Sequence, residues 1–194
     1  MRIENPPRDL PTMVARRFEW SMAVPEVFFA REETRIAEAC WAMARRFHQG
    51  GRLLAFGKGA WTTDAQHVAV EFVHPVIMGK RALPALALTN DSSSTSSFAD
   101  QLRILARPQD IALGFSLDEN CADVVVALAE ARQAGLLTLG LTGGDGGPFQ
   151  EHAPDFLFAV NTHDPLVIQE THETLYHVLW ELVHIFFEHE GLLA

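Results

Sequence analysis

Cysteine is scarce in this 194-residue sequence, basic runs are missing, and so are long apolar segments. The only cysteines, Cys40 and Cys121, are too few for a disulfide framework or a cysteine-based zinc site. A net charge of −10 without any Lys/Arg cluster argues against binding to nucleic acid. The segment Met1–Pro7 does not resemble a signal peptide, and no apolar run approaches membrane-spanning length. We therefore expect a cytoplasmic protein with neither nucleic acid nor membrane as a partner.

Short apolar runs alternate along the chain with segments of helical periodicity. Hydrophobic residues make up 48% of the sequence, which is enough for a substantial core. The predicted strands are 52–56, 85–88, 110–115, 136–141 and 156–160, and the predicted helices are 25–49, 63–72, 98–106, 122–134 and 165–190. This alternation predicts an α/β fold, a three-layer sandwich in which a five-stranded parallel sheet is flanked by helices.

The N-terminal region differs from the rest in composition. Pro6, Pro7 and Pro11 fall within the first twelve residues and predict an extended arm that is either mobile or docked on a partner subunit. We therefore divide the chain into an arm and helix at 1–50, with a role in oligomerisation, and a main domain at 51–194. No repeat or internal linker separates a further domain.

Two of the predicted helices carry side chains that can bind a metal. His67 and Glu71 are four residues apart and share a helix face, and a later helix offers Gln169 and His177. Imidazole and carboxylate suit zinc or another divalent metal, and they can also act as general acid and base. On spacing alone, a solvated helix face is the commoner explanation.

Glycines are concentrated between Gly140 and Gly147, as in a phosphate-binding loop. However, no Gly-x-Gly-x-x-Gly follows a predicted strand and opens a helix, and the sequence has no Gly-Lys-Ser/Thr. The pattern therefore excludes a dinucleotide-binding fingerprint and a P-loop.

Four segments, taken in order, resemble the sugar isomerase (SIS) domain family, and within it the phosphoheptose isomerases. They are residues 50–59 (GGRLLAFGKG), 64–67 (DAQH), 139–147 (LGLTGGDGG) and 168–172 (IQETH). The resemblance implies a five-stranded parallel sheet and a homotetramer, or a homodimer, with active sites between subunits. It also implies an aldose–ketose isomerase that acts on a sugar or sugar phosphate.

The same resemblance gives roles to the four metal-competent residues. It implies a zinc site, or a site for another divalent metal, made by His67, Glu71, Gln169 and His177. Glu71 and His177 would also be the catalytic base and acid. A related non-enzymatic branch, which binds the bacterial replication initiator, typically lacks this Glu and this C-terminal His. The present sequence keeps both.

The phosphate-binding half of the family's site is altered in this sequence. Residues 116–121 (SLDENC) replace a loop that is rich in hydroxyl groups, and Trp61 replaces a second phosphate-contacting serine. Because carboxylates repel a phosphate dianion, we expect a substrate other than plain sedoheptulose 7-phosphate. The predicted substrate-binding residues are Lys58, Trp61, Asn90, Ser94, Ser116, Asp118 and Asn120.

Two alternatives remain open from the sequence. The hydroxyl-rich segment 89–97 is either a polar loop with a helix N-cap or, together with Lys58, a relocated anion site. For the whole chain, the complete set of metal-competent residues favours an isomerase. The acidic residues Asp118 and Glu119 favour a non-catalytic ligand-sensing or protein-binding module with a structural metal.

Overall fold

The computed structural model describes residues 9–89, 97–117, 121–150 and 152–193. The helices are α1 (Leu10–His48), α2 (Trp61–Val73), α3 (Phe98–Leu105), α4 (Ala122–Gln133) and α5 (Pro165–Glu188). The strands are β1 (Leu53–Gly57), β2 (Ala85–Leu88), β3 (Ile111–Phe115), β4 (Leu137–Gly143) and β5 (Phe156–Val160). Short 3-10 turns occur at Gly147–Gln150 and Glu190–Leu192. Within the described ranges, no helix is both long enough and apolar enough to cross a membrane.

The strands form one parallel five-stranded sheet in the order β2-β1-β3-β4-β5. In the centre of the sheet, Leu53 of β1 pairs with Ala85 on one side and with Ile111 on the other. The strand order reverses direction between β1 and β3, which opens a crevice beyond the carboxyl ends of these two strands. The predicted α/β fold and parallel sheet are confirmed.

Helices cover both faces of the sheet because alternate side chains of each strand point in opposite directions. In β1, Leu53 and Ala55 join a core shared with α1, α2 and α5, whereas Leu54 and Phe56 join a core shared with α3 and α4. Burial on both sides explains why the strands are continuous apolar runs in the sequence. The predicted three-layer sandwich is therefore correct.

The start of the first helix was predicted wrongly. α1 begins at Leu10 rather than near residue 25, so the expected extended arm does not continue to residue 12. Pro11 lies in the first turn, where a backbone N–H has no helical partner and a proline is tolerated. Pro25 lies inside the helix. Its neighbours Val24 and Phe28 pack against the core, and this packing holds the helix through the proline.

The two parts of α1 have different surroundings. Its C-terminal part packs in the core through residues such as Phe28, Ile36 and Phe47. Its N-terminal part exposes a series of large apolar side chains, namely Leu10, Met13, Val14, Phe18, Trp20 and Met22. The assignment of residues 1–50 to oligomerisation stays a prediction, and residues 1–8 lie outside the described part of the chain.

Candidate active site

Polar side chains from α2 and α5 meet along the contact between these helices. On α2 they occupy positions i, i+3 and i+7, and on α5 positions i, i+4 and i+8, which are the spacings of a single helix face. They are Asp64, His67 and Glu71 on α2, and Gln169, Glu173 and His177 on α5. The Trp180 indole N–H donates to the backbone carbonyl of Glu71 at 2.9 Å and fixes α5 against α2.

The Glu71 carboxylate lies between two imidazoles. Its Oε1 is 2.9 Å from Nε2 of His177 and 3.4 Å from Nε2 of His67. The Glu71 side chain is 11% exposed, while His67 and His177 are 44% and 45% exposed, so the carboxylate is sheltered and the imidazoles are open to solvent. The other carboxylate oxygen, Oε2, is buried without a hydrogen-bond partner. The structure thus brings together three of the four residues predicted from the sequence.

Gln169, the fourth of these residues, contacts Asp64. Its amide Nε2 donates to Asp64 Oδ2 at 2.9 Å. Burial raises the pKa of Asp64 to about 6, and the hydrogen bond from Gln169 acts in the opposite direction. Because the amide nitrogen is committed to Asp64, the amide oxygen is the atom of Gln169 left to bind a ligand.

The sequence reasoning missed two residues of α5. One ligand atom from each of His67, Glu173 and His177 lies within 4.8 Å of the others, so Glu173 belongs to the group that could hold a metal. Its position midway between Gln169 and His177 on the same helix face was the available signal. The hydroxyl of Tyr176 lies 2.8 Å from Nδ1 of His67. Burial, followed by the charges of the nearby carboxylates, raises the pKa of this phenol well above its ordinary value.

The residues of this site fit a divalent metal. They combine imidazole nitrogens with carboxylate oxygens, and a bound cation would satisfy the buried, unpartnered Oε2 of Glu71. His172, by contrast, belongs to the core. It is fully buried, its Nε2 lies 3.3 Å from the carbonyl of Thr142, and its ring packs against Trp61 with centroids 5.2 Å apart. Burial lowers the pKa of His172 to about 4, which keeps its ring neutral.

Three of the predicted substrate-binding residues lie near the crevice beyond β1 and β3. Lys58 is exposed and forms an ion pair with Asp123 in the first turn of α4, at 2.7 Å. Ser116 is buried, and its backbone N–H donates to the carbonyl of Leu141 at 2.9 Å. Trp61 begins α2, and its ring is buried in the core. Their contact with a substrate stays a prediction.

The other four predicted substrate-binding residues, Asn90, Ser94, Asp118 and Asn120, lie outside the described residues. Within the hydroxyl-rich segment, Ser97 is described, and it caps α3. Its hydroxyl accepts from the Asp100 backbone N–H at 3.1 Å, and the Asp100 carboxylate accepts from the Ser97 backbone N–H. The N-cap interpretation is therefore confirmed at Ser97, and the relocated anion site stays a prediction.

Comparison with known proteins identifies relatives of this chain. The SIS domain family model matches residues 18–143. A phosphoheptose isomerase from Desulfovibrio desulfuricans is 38% identical, and the match covers 87% of this chain and 85% of that protein. The structure of a phosphoheptose isomerase from Neisseria gonorrhoeae superposes with a TM-score of 0.80 at 28% identity, covering 90% of this chain and 98% of that one. For the enzyme from Francisella tularensis the TM-score is 0.81 at 26% identity, with coverage of 90% and 97%.

These relatives agree with the fold and with the order of motifs in the sequence. The match begins inside α1 and extends through β4, so it includes most of the first helix and four of the five strands. The chain belongs to the SIS domain family and is similar to the phosphoheptose isomerases within it.

Proposed function

We propose that this chain is an aldose–ketose isomerase that acts on a phosphorylated sugar and uses a divalent metal. The observation that carries the proposal is the sheltered Glu71 carboxylate, held between His67 and His177 on a solvent-accessible helix face. The names of the relatives give the reaction class, and the geometry supplies the groups that this reaction needs.

The reaction moves one proton between neighbouring carbon atoms. A base removes the proton from the carbon next to the carbonyl, an acid protonates the carbonyl oxygen, and reversal of these steps at the other carbon completes the exchange. We assign the base to Glu71 and the acid to His177, whose Nε2 is 2.9 Å away. Because the two groups are in contact, a proton can pass between them as the substrate carbonyl changes position.

We propose that His67, Glu71, Gln169 and His177 form the metal site, and zinc suits their nitrogen and oxygen donors. Because a metal-bound carboxylate is a poorer base and a metal-bound ring nitrogen has no proton to donate, Glu71 and His177 do not act as metal ligands and as base and acid at the same moment. A bound divalent ion would stabilise negative charge that develops on the substrate oxygens. Asp64 supports this arrangement because it accepts from Gln169 Nε2 and leaves the amide oxygen available.

The proposed substrate is a heptose phosphate or a close relative of one. The similar proteins are phosphoheptose isomerases, which supports a phosphorylated sugar. Lys58, which directly follows β1, is the cation that we assign to the phosphate, and its ion pair with Asp123 at the start of α4 holds it in place. The acidic residues of the 118–120 segment predict that the preferred sugar differs from plain sedoheptulose 7-phosphate.

We also propose that the active form is a homotetramer in the cytoplasm, with a homodimer as the smaller alternative. The exposed apolar side chains of α1, such as Phe18 at 65% exposure, support an interface between subunits. The half-exposed His67 and His177 support a site that a second subunit covers. Neither Cys40 nor Cys121 forms a disulfide within the described part of the chain, as expected in a reducing compartment.

Metal analysis combined with a substrate panel tests the proposal. The panel contains sedoheptulose 7-phosphate, shorter aldose and ketose phosphates, and the corresponding unphosphorylated sugars. We expect one divalent metal per chain and turnover of a phosphorylated member. The His177→Ala variant should lose this turnover, and His152→Ala, which changes an exposed histidine, serves as the matched control. Bound metal without turnover of any sugar would instead support a ligand-binding module.

A further inference from the structure

Tyr176 contacts His67 on the side of the imidazole that faces away from Glu71. Its hydroxyl is 2.8 Å from Nδ1, and the two rings meet edge to face with centroids 5.4 Å apart. The tyrosine is only 1% exposed and packs against Phe115, so its position is fixed by the core. A rigid hydroxyl group therefore lies against the nitrogen that is not directed at Glu71.

The two ring nitrogens of a neutral histidine have different roles. One carries a proton and donates, while the other has a lone pair that accepts a hydrogen bond or binds a metal. His67 Nε2 lies 3.4 Å from a Glu71 carboxylate oxygen, which can only accept. A carboxylate oxygen of Glu173 lies farther away, 3.8 Å from Nδ1, where the Tyr176 hydroxyl at 2.8 Å is the nearer partner. Without a metal, we therefore place the proton on Nε2, and Nδ1 accepts from the Tyr176 hydroxyl.

Metal binding reverses this arrangement. A metal ion at Nε2 requires the lone pair there, so the proton of a neutral ring must be on Nδ1. A hydroxyl group can both donate and accept, so Tyr176 can accept from Nδ1–H in this second state. A backbone carbonyl at the same place could only accept, and a backbone N–H could only donate. The hydroxyl is therefore compatible with both forms of His67.

We propose that Tyr176 is a positioning residue that stays hydrogen-bonded to His67 in both tautomers and so directs Nε2 to the metal. This inference rests on the proposed metal-binding role of His67. One proton leaves Nε2 and one arrives at Nδ1, and the hydroxyl turns from donor to acceptor without losing its own proton. Neither the charge of the ring nor that of the phenol changes.

The test compares Tyr176→Phe, which removes the hydroxyl and keeps the ring, with the intact protein. Nitrogen-15 spectra of the histidine rings report which nitrogen of His67 carries the proton. In the intact protein we expect Nε2–H without metal and Nδ1–H after zinc is added. The variant should bind zinc about 10- to 100-fold more weakly, as measured by competition with a chelator.

Thr174→Val is the matched control, because it also removes a hydroxyl group from α5, one that donates to the backbone carbonyl of Glu170 and has no contact with His67. It should leave the tautomers of His67 and the zinc affinity within about twofold of the intact protein, whatever its effect on the melting temperature. An unchanged zinc affinity in Tyr176→Phe, or a zinc-bound intact protein that keeps Nε2–H, overturns the assignment. Failure of the proposed isomerase function appears separately, as a lack of turnover by the intact, metal-loaded protein.

Discussion

Replacement of Glu71 by glutamine is the most informative single change in this protein. Glutamine has nearly the same shape, and its amide oxygen can still lie against Nε2 of His177, which is 2.9 Å from the carboxylate in the structure. It cannot accept a proton from carbon. A positioned general base contributes about 10²- to 10⁴-fold to a rate. Because Glu71 also contacts the proposed acid, we expect kcat to fall by about 10³- to 10⁴-fold, or about 4–5.5 kcal/mol in activation free energy.

The effect on folding should be much smaller than the effect on catalysis. The Oε2 atom of Glu71 is buried without a partner, and this cost offsets the contacts of Oε1 with the two imidazoles in the metal-free fold. We expect the free energy of unfolding of Glu71→Gln to stay within about 1 kcal/mol of the intact protein. Circular dichroism during urea unfolding measures this quantity, and metal analysis of the same sample shows whether the site is still loaded.

Glu181→Gln is the matched control, since it neutralises an exposed carboxylate on α5. It should leave kcat within about twofold. If Glu71→Gln keeps more than a tenth of the activity while folded and loaded with metal, Glu71 is not the base and the assignment of roles in this site is wrong.

Three further predictions concern the rest of the fold. Burial lowers the pKa of His172 to about 4 from an ordinary 6.5, so the stability that the neutral ring provides is complete above about pH 6.5 and is lost as the pH falls toward 4. Between these pH values, the free energy of unfolding should fall by about 3 kcal/mol more in the intact protein than in His172→Phe. Equal losses for the two proteins in urea titrations would contradict this prediction. Burial raises the pKa of the Cys40 thiol to about 12, so iodoacetamide at pH 8 should modify only Cys121 in the native protein and both cysteines in urea. Modification of Cys40 in the native protein, detected by mass spectrometry, would argue against its burial. Asp110 is fully buried, and it accepts hydrogen bonds from the guanidinium of Arg52 at 2.7 Å and from the backbone N–H of Arg52 at 2.9 Å. Asp110→Ala should therefore reduce the free energy of unfolding by about 3 kcal/mol, and a loss below about 1 kcal/mol would show that this network contributes little.

The sheet was predictable because its strands are short and apolar and are separated by turns and helices. The strand at 85–88 and the strand at 156–160 match the structure to the residue. The N-terminal part of α1 was missed because prolines were interpreted as helix breakers. Pro11 is harmless in a first turn, and Pro25 is tolerated because core contacts formed by distant residues hold the helix around it. Such tertiary contacts have no local signal.

The site was predictable to the extent that helical spacing describes it. Spacing places His67 and Glu71 on one face, but only the packing of α2 on α5 shows that Glu71 contacts both imidazoles. The hydrogen bond between Tyr176 and His67 joins residues that are 109 positions apart, and a buried tyrosine beside a histidine has no distinctive sequence pattern. The assignment of Gln169 as a metal ligand stays a prediction, and its contact with Asp64 required the structure.

The most direct test follows the proton itself. The metal-loaded protein is incubated with sedoheptulose 7-phosphate and the other sugar phosphates in heavy water, and the products are analysed by NMR. If Glu71 transfers a proton between neighbouring carbons, a converted sugar should carry deuterium at the carbon next to the carbonyl, and Glu71→Gln should show neither conversion nor exchange. Conversion without any deuterium at that carbon would contradict proton transfer by a carboxylate in contact with solvent-exposed imidazoles. The absence of conversion and exchange with every sugar would contradict the isomerase function.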